Sequence, residues 1–276
     1  KSGASIVEHT GRQDLEFSRI GLVGAAVSDH PAIERLCMEF VKQGKEVGIS
    51  SLRPDNMTQN LVSTLVQGGL KSVTMAPESG SERMREVIGK PIQRDEILQS
   101  AELCDQVGLR SLKLYFMVGL PFETDSDAEA IVELSREIAR QFRRRISLSL
   151  STFVPKANTP FQWEPLVASD VVKRRVEAIK RGLSSRRNIK VASRNPREVE
   201  MQAIFSRGDA RVGAALHNWY VCGNWKRAFK NAGVDRKALL YDKFSTRERL
   251  PWDFIDVSFP KSLLRGELSK AKRAAS

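Results

Sequence analysis

Five apolar runs, each ending in a polar or turn-forming cluster and separated from the next by helical spacing, limit what this chain can fold into. "SRIGLVGAAV" (18–27) ends at Ser28-Asp29-His30-Pro31 and leads into the helical "AIERLCMEFVKQG". "EVGISSL" (46–52) is followed by Arg53-Pro54-Asp55 and the helix "MTQNLVSTLVQ". "KSVTMA" (71–76) runs into Pro77-Glu78-Ser79-Gly80-Ser81, a helix to Ile88 and a second helix, "RDEILQSAELCDQVG". "RSLKLYFMVGL" (110–120) precedes Pro121 and the helix "DSDAEAIVELSREIARQF"; "RISLSLSTFVP" (145–155) closes the series. Near-continuous apolar strands alternating with helices of this length predict a parallel α/β sheet covered by helices.

The polar residues gather at one end of every predicted strand: Ser28/Asp29, Ser51/Arg53, Glu78/Ser79, Gly119/Pro121 and Pro155/Lys156. In parallel α/β folds the C-terminal strand edge is where loops and helix N-termini converge on ligands. Two readings of Glu78-Ser79-Gly80-Ser81 stand side by side. Ser79 or Ser81 caps the following helix while Gly80 permits the turn, or the cluster belongs to a ligand site. Ser51 and Arg53 read either as ligand groups or as a turn before Pro54. Met117, Val118, Gly119, Val154 and Pro155 by themselves read as ordinary core.

At 276 residues, 41% hydrophobic and 28% charged, the chain can bury a sizeable core. No apolar run approaches the roughly 20 residues of a membrane span, and the N-terminus lacks a signal-peptide core, so no membrane partner and a cytoplasmic location are expected. Cys37, Cys104 and Cys222 are too dispersed for a local metal motif and read as buried thiols or surface incidentals. The formal charge is +12, and residues 169–211 carry twelve Lys/Arg against five Asp/Glu. That stretch is either a solvated basic face or a surface for RNA.

After Trp163-Glu164-Pro165 a basic helix (169–187), the short strand "NIKVAS" and the helix "PREVEMQAIF" are expected. Residues 1–206 are expected to form the α/β portion and 207–276 a helical or irregular appendage ending in a frayed "LSKAKRAAS".

"APESGSERMREVIGKPI", "YFMVGLPFETDSD" and "TFVPKANTPFQWEP", in this order and on these elements, resemble the radical S-adenosylmethionine (radical SAM) superfamily over roughly residues 15–165. "FVPKANTPFQW" and "LPWDFIDVSFPKSLL" further resemble an uncharacterised branch in which the domain is fused to other modules. The resemblance implies a partial (β/α)6 TIM-like barrel, truncated at its N-terminal end, with S-adenosylmethionine and a [4Fe–4S] cluster across its open top. It implies reductive cleavage of the sulfonium to a 5′-deoxyadenosyl radical, a reductant such as flavodoxin or ferredoxin, and possible use of cobalamin held outside this chain.

Carried over by position, Ser28 and Asp29 would meet the methionine amino group, although no Gly-Gly-Glu-Pro stands there. Ser51 and Arg53 would face the methionine carboxylate, which suits the paired donors of a guanidinium. Glu78, with Ser79 beside it, matches the ribose position, where a carboxylate accepts two O–H bonds. Met117, Val118 and Gly119 match the strand beside adenine, and Val154 and Pro155 the last strand's adenine contact. Lys156 reads as a rim charge.

The family's Cys-x3-Cys-x2-Cys motif is absent. Truncation upstream of Lys1 is the expectation, with a relative that has lost redox chemistry as the alternative, and no metal ligand is assigned within the chain. A non-catalytic barrel module that binds RNA is the competing function. A conventional acid–base barrel enzyme lacks a second carboxylate or nucleophile to accompany Asp29, His30 and Glu78, and no phosphate-binding Gly-x4-Gly-Lys-Ser/Thr loop occurs.

Overall fold

The apolar runs form parallel strands joined by helices in the computed structural model, which describes residues 17–24 and 27–276. β1 (Arg19–Leu22) pairs with β2 (Glu46–Ile49) in a two-stranded sheet. β3 (Ser72–Glu78), β4 (Ser111–Val118), β5 (Arg145–Thr152) and β6 (Ile189–Ser193) pair in chain order in a four-stranded one. A parallel bridge between Leu52 and Met75, with the Leu52 N–H donating to the Thr74 carbonyl at 2.9 Å, links the two. Sequential parallel strands with intervening helices make this a partial α/β barrel, and among the described residues no pairing closes it.

The crossovers are α1 (Ile33–Lys42), α2 (Gln59–Gln67), α3 (Glu82–Val87) with α4 (Arg94–Gln106), α5 (Asp125–Gln141) and α6 (Ser169–Leu183). Local sequence starts several of them. Thr58 caps α2 by accepting from the Leu61 N–H at 3.1 Å, Ser81 caps α3, and Thr124 with Asp127 forms a reciprocal capping box on α5. Leu36 and Phe40 of α1, Ile97 and Cys104 of α4 and Ile131 and Ile138 of α5 pack against the sheet's buried face.

The strands differ from expectation in two respects. The first run shortens to Arg19–Leu22, because glycines at 21 and 24 weaken a strand interior, and Val27–Asp29 forms a short 3₁₀ turn; residues 25 and 26 lie outside the described residues. β4 and β5 are buried on one face only. Leu112, Leu114, Phe116 and Val118 point into the core, as do Ile146, Leu148 and Leu150, whereas Lys113, Tyr115, Met117, Ser147, Ser149 and Ser151 are exposed or half-buried. Period-two alternation, rather than a continuous apolar run, therefore governs the middle of the sheet.

The basic helix stops at Leu183, and a turn at Ser184–Asn188 precedes β6. Beyond it come α7 (Pro196–Arg207), α8 (Ala210–Cys222), α9 (Trp225–Asn231) and α10 (Arg236–Tyr241), which share a core of Val199, Ile204, Val212, Phe229 and Leu240. The last residues are not frayed. They form α11 (Lys261–Ala275), whose Leu264, Leu268 and Ala271 are buried with Met84 and Val87 of α3. Apolar positions four and three residues apart on one stripe make that helix amphipathic despite its basic composition.

Candidate functional site

Glu78, Met117 and Val118 end their strands, and the other sequence-derived site residues follow a strand's C-terminal end. Ser28 is buried in the 3₁₀ turn after β1, and its hydroxyl accepts from the Arg53 N–H at 3.3 Å. The Arg53 guanidinium lies 3.7 Å from the carboxylate of exposed Asp29. Asp29 in turn accepts from Asn56 Nδ2 at 2.7 Å. Arg53 Nε and Nη2 donate to both oxygens of Asp55, at 3.0 and 2.6 Å. These hydrogen bonds hold Arg53 above its ordinary pKa and Asp55 below its own. The fork of Arg53 is thus set to take a carboxylate in paired geometry, and Asp55 supplies one from within the chain. Ser51, half-buried, lies two residues upstream of Arg53.

The turn after β3 resolves the serine–glycine cluster. The pairing of β3 with β4 slips between Met75 and Glu78, and Glu78 adopts φ 67°, a left-handed conformation that is costly for a residue with a side chain. Lys90 Nζ braces it by donating to the Ala76 carbonyl at 2.6 Å and to Glu78 Oε1 at 3.1 Å. The other carboxylate oxygen of Glu78 has no hydrogen-bond partner among the described residues. Ser81, not Ser79, is the cap: its hydroxyl accepts from the Met84 N–H at 3.2 Å and donates to Asp127 at 2.6 Å. The Ser79 hydroxyl is fully buried and has no hydrogen-bond partner among the described residues.

Gly80 corrects the expectation of a turn glycine. Its φ is not positive; a Cβ there would lie 2.2 Å from the Ile131 nitrogen and 2.3 Å from the Ala130 carbonyl carbon, so α5 crosses in direct backbone contact. Arg85, 1% exposed, ties the turn from beneath through the Ser79 and Gly80 carbonyls at 3.1 Å each and the Ile92 carbonyl at 2.5 Å.

At the end of β4, Met117 is half-buried against the cluster that includes Phe161 and Trp252, and Val118 is fully buried in the main core. Gly119 has φ 81°, which glycine tolerates without strain. Its N–H donates to Glu123 at 2.7 Å, and Arg175 of α6 donates to the same carboxylate oxygen at 2.7 Å. Burial pushes Glu123 up to about 7, against the pull of Gly119 and Arg175. Val154 and Pro155 are buried just past β5, and Val154 packs with the α7–α10 core. Lys156 is exposed and donates to Ser206 at 2.8 Å.

Sequence reasoning missed Lys90, Arg85, Glu123 and Arg175. Glu123 stood inside a quoted motif, whereas Arg175 was hidden in a basic run; it is buried, as is Arg207, so that stretch is not uniformly a solvated face. Also missed was the polar row on the sheet's open face, where Lys113 registers with Ser147, Tyr115 with Ser149 and Met117 with Ser151. The Ser-Leu-Ser-Leu-Ser alternation of "RISLSLST" was its signal.

Cysteine placement fits no cluster. Cys37 and Cys104 are buried on α1 and α4, with burial raising their thiols to about 11 and about 12, and Cys222 is exposed at the end of α8. Among the described residues no group of three or more His, Cys, Asp or Glu side chains could hold a metal ion. A [4Fe–4S] cluster needs convergent thiolates, and the described residues do not provide them. At the strand ends stand the fork of Arg53, already held by Asp55, and the oxygen of Glu78 that has no partner among the described residues.

Residues 5–135 match the family model described as the Radical SAM superfamily. That segment, just under half of the chain, is similar to the domain of that superfamily. It is 33% identical over 201 residues to an uncharacterised protein of Methanocaldococcus jannaschii, an alignment that covers 73% of this chain and 44% of that protein. It is 24% identical over 138 residues to an uncharacterised methyltransferase of Pyrococcus horikoshii, covering 50% of this chain and 28% of that one. The chain therefore spans less than half the length of these curated relatives. Among solved structures, coproporphyrinogen III oxidase of Escherichia coli, titled a radical SAM enzyme, superimposes with a TM-score of 0.45 at 14% identity, covering 61% of this chain and 40% of that one.

Proposed function

We propose that this chain is the cofactor-binding portion of a radical SAM enzyme that binds S-adenosylmethionine along the C-terminal ends of its strands. The observation that carries the proposal is Glu78. It is held in a strained backbone conformation at a strand end, braced on one oxygen by Lys90 and open on the other. Arg53, with Ser51, would receive the methionine carboxylate in exchange for Asp55, Ser28 and Asp29 its amino group, and Glu78, with the buried Ser79 behind it, the ribose hydroxyls. Met117, Val118 and Gly119 on one side and Val154 and Pro155 on the other would border adenine. The family's cofactor supplies a 5′-deoxyadenosyl radical once its sulfonium is reduced; the residues described here bind and orient, and they do not ligate the cluster. We place the protein in the cytoplasm with a flavodoxin or ferredoxin as reductant, and divide it into an α/β portion (1–206) and a helical appendage (207–276). Methyl transfer, from the printed name of the P. horikoshii relative, is the reaction class to assay first.

Calorimetric titration with S-adenosylmethionine tests the reading. Glu78→Ala should weaken binding by about 1–3 kcal/mol, the usual cost of losing hydrogen bonds to a charged group, with thermal stability kept. Unchanged affinity would refute it.

A second reading, contact of RNA with the basic stretch 169–211, draws on the exposed Lys173, Arg174, Lys180 and Arg181 of α6. Binding by that route should fall with salt at a log–log slope near −0.7 per neutralised phosphate.

A further inference from the structure

The four helices α7–α10 line a pocket of about 400 Å³ that includes none of the strand-end residues described above. Its size falls within the roughly 300–1,000 Å³ of small-molecule sites. Its walls combine two indoles, Trp219 and Trp225, with three cations, Arg197, Lys226 and Arg236. The wall carries one carboxylate, Glu200, against these three cations. The Arg236 guanidinium lies 4.5 Å from the Trp225 ring centroid and the Lys226 ammonium 5.9 Å from it, so charge and aromatic surface are presented together. Trp219 is half-buried and has no ring or cation contact among the described residues. Here an aromatic face is left without a partner beside a net positive wall. Hydrophobic filling alone would not call for three cations, and phosphate binding alone would not call for two indoles.

We propose that this pocket takes a nucleotide unit, its heteroaromatic base stacked on Trp219 and its phosphate held by Arg197, Lys226 and Arg236. Stacking on an indole accepts any base, because every base has a π-face, while arginine forks match phosphate oxygens. The unit could be a free nucleotide or one residue of single-stranded nucleic acid. Arg197 belongs to the basic stretch, whereas Trp219, Lys226 and Arg236 lie outside it. The pocket is therefore separable from the RNA reading given above, and it is independent of S-adenosylmethionine.

Intrinsic fluorescence of the whole chain reports on this pocket, because Trp163 and Trp252 are 0% and 6% exposed and shielded from ligand. Adenosine and uridine 5′-monophosphates form one arm, and single-stranded oligoadenylate and oligouridylate of about eight nucleotides, within the roughly 4–16 such sites span, form the second. Inorganic polyphosphate and a polyglutamate peptide are the third and fourth. Saturable quenching by either nucleotide arm is expected, and the arm that binds more tightly identifies the source. Trp219→Ala should weaken that binding by roughly tenfold or more, and Trp219→Phe, which keeps a stacking ring, should lose less. No saturable quenching by nucleotides at about 50 mM salt would overturn the proposal. So would binding of polyphosphate or polyglutamate as tight as that of the nucleotides. Oligonucleotide binding that falls with Lys173→Glu and Arg181→Glu but ignores Trp219→Ala would retain the basic-stretch reading and overturn the pocket.

Discussion

The turns after β3 and β4 sit side by side on the sheet's C-terminal edge, and they are fixed by different physics. After β3, Gly80 lets the backbone of α5 touch the loop, and Arg85 donates to three neutral carbonyls from a site sealed from solvent. After β4, Gly119 supplies a left-handed residue, and Glu123 joins its amide to Arg175 of α6 through one carboxylate oxygen. One turn is held by steric contact and hydrogen bonds to groups that do not titrate near neutrality; the other depends on a buried carboxyl that burial has pushed up to about 7. The first should be insensitive to pH, and the second should not.

Gly80→Ala should give the largest effect. An added methyl would meet backbone rather than a flexible side chain, so destabilisation of about 3 kcal/mol, the upper end of overpacking costs, is expected in urea unfolding. A midpoint unchanged from wild type would show that α5 can withdraw freely.

The β4 turn should respond to pH. A carboxyl raised from 4.5 to about 7 on folding binds more protons native than unfolded between those values. Its contribution is therefore greatest below the unfolded pKa and is lost as pH rises through the folded one. Stability should fall by on the order of 2–3 kcal/mol between about pH 4.5 and 7 from this group. Glu123→Gln should flatten that slope while leaving Arg175 its bond to Asp125 at 2.8 Å. Equal slopes in the two proteins would remove Glu123 as the cause.

Glu78→Gly sharpens the contrast between fold and site. Relief of the left-handed strain at φ 67° should raise stability by about 1 kcal/mol, while affinity for S-adenosylmethionine drops. Loss of both together would make Glu78 a structural residue.

The smallest effect belongs to the serines. Ser79→Ala removes a buried hydroxyl that has no partner among the described residues, and should leave stability within about 1 kcal/mol of wild type, on the stabilising side. Ser81→Ala, which removes the cap and the bond to Asp127, should cost about 1 kcal/mol. The reverse order in a thermal melt would restore Ser79 as the cap.

The strand–helix alternation, the order of the strands and the edge that carries the polar residues were legible in the sequence, because hydrophobic period and turn chemistry act over a few residues. Ser28 and Arg53 could be placed at one edge for the same reason, and the superfamily resemblance was readable from three motifs in order. The burial of Cys37 and Cys104 followed from their positions on amphipathic helices. Contacts across long sequence separations were not legible. Ser81 meets Asp127 from 46 residues away, Glu123 meets Arg175 from 52, and Arg83 reaches the Ala275 carbonyl from 192.

The sequence by itself therefore determined the parallel α/β scaffold, the edge where its polar residues gather and the absence of the Cys-x3-Cys-x2-Cys motif. Tertiary structure alone decided that Gly80 serves helix contact rather than a turn, that Ser81 caps while Ser79 is buried unpaired, and that the basic tail is an amphipathic helix packed on α3. It also decided that Trp219 and Trp225 face one pocket with Arg236. Local propensity is written in neighbouring residues, whereas close approach, desolvation and the pairing of buried charges exist only once distant segments share a volume.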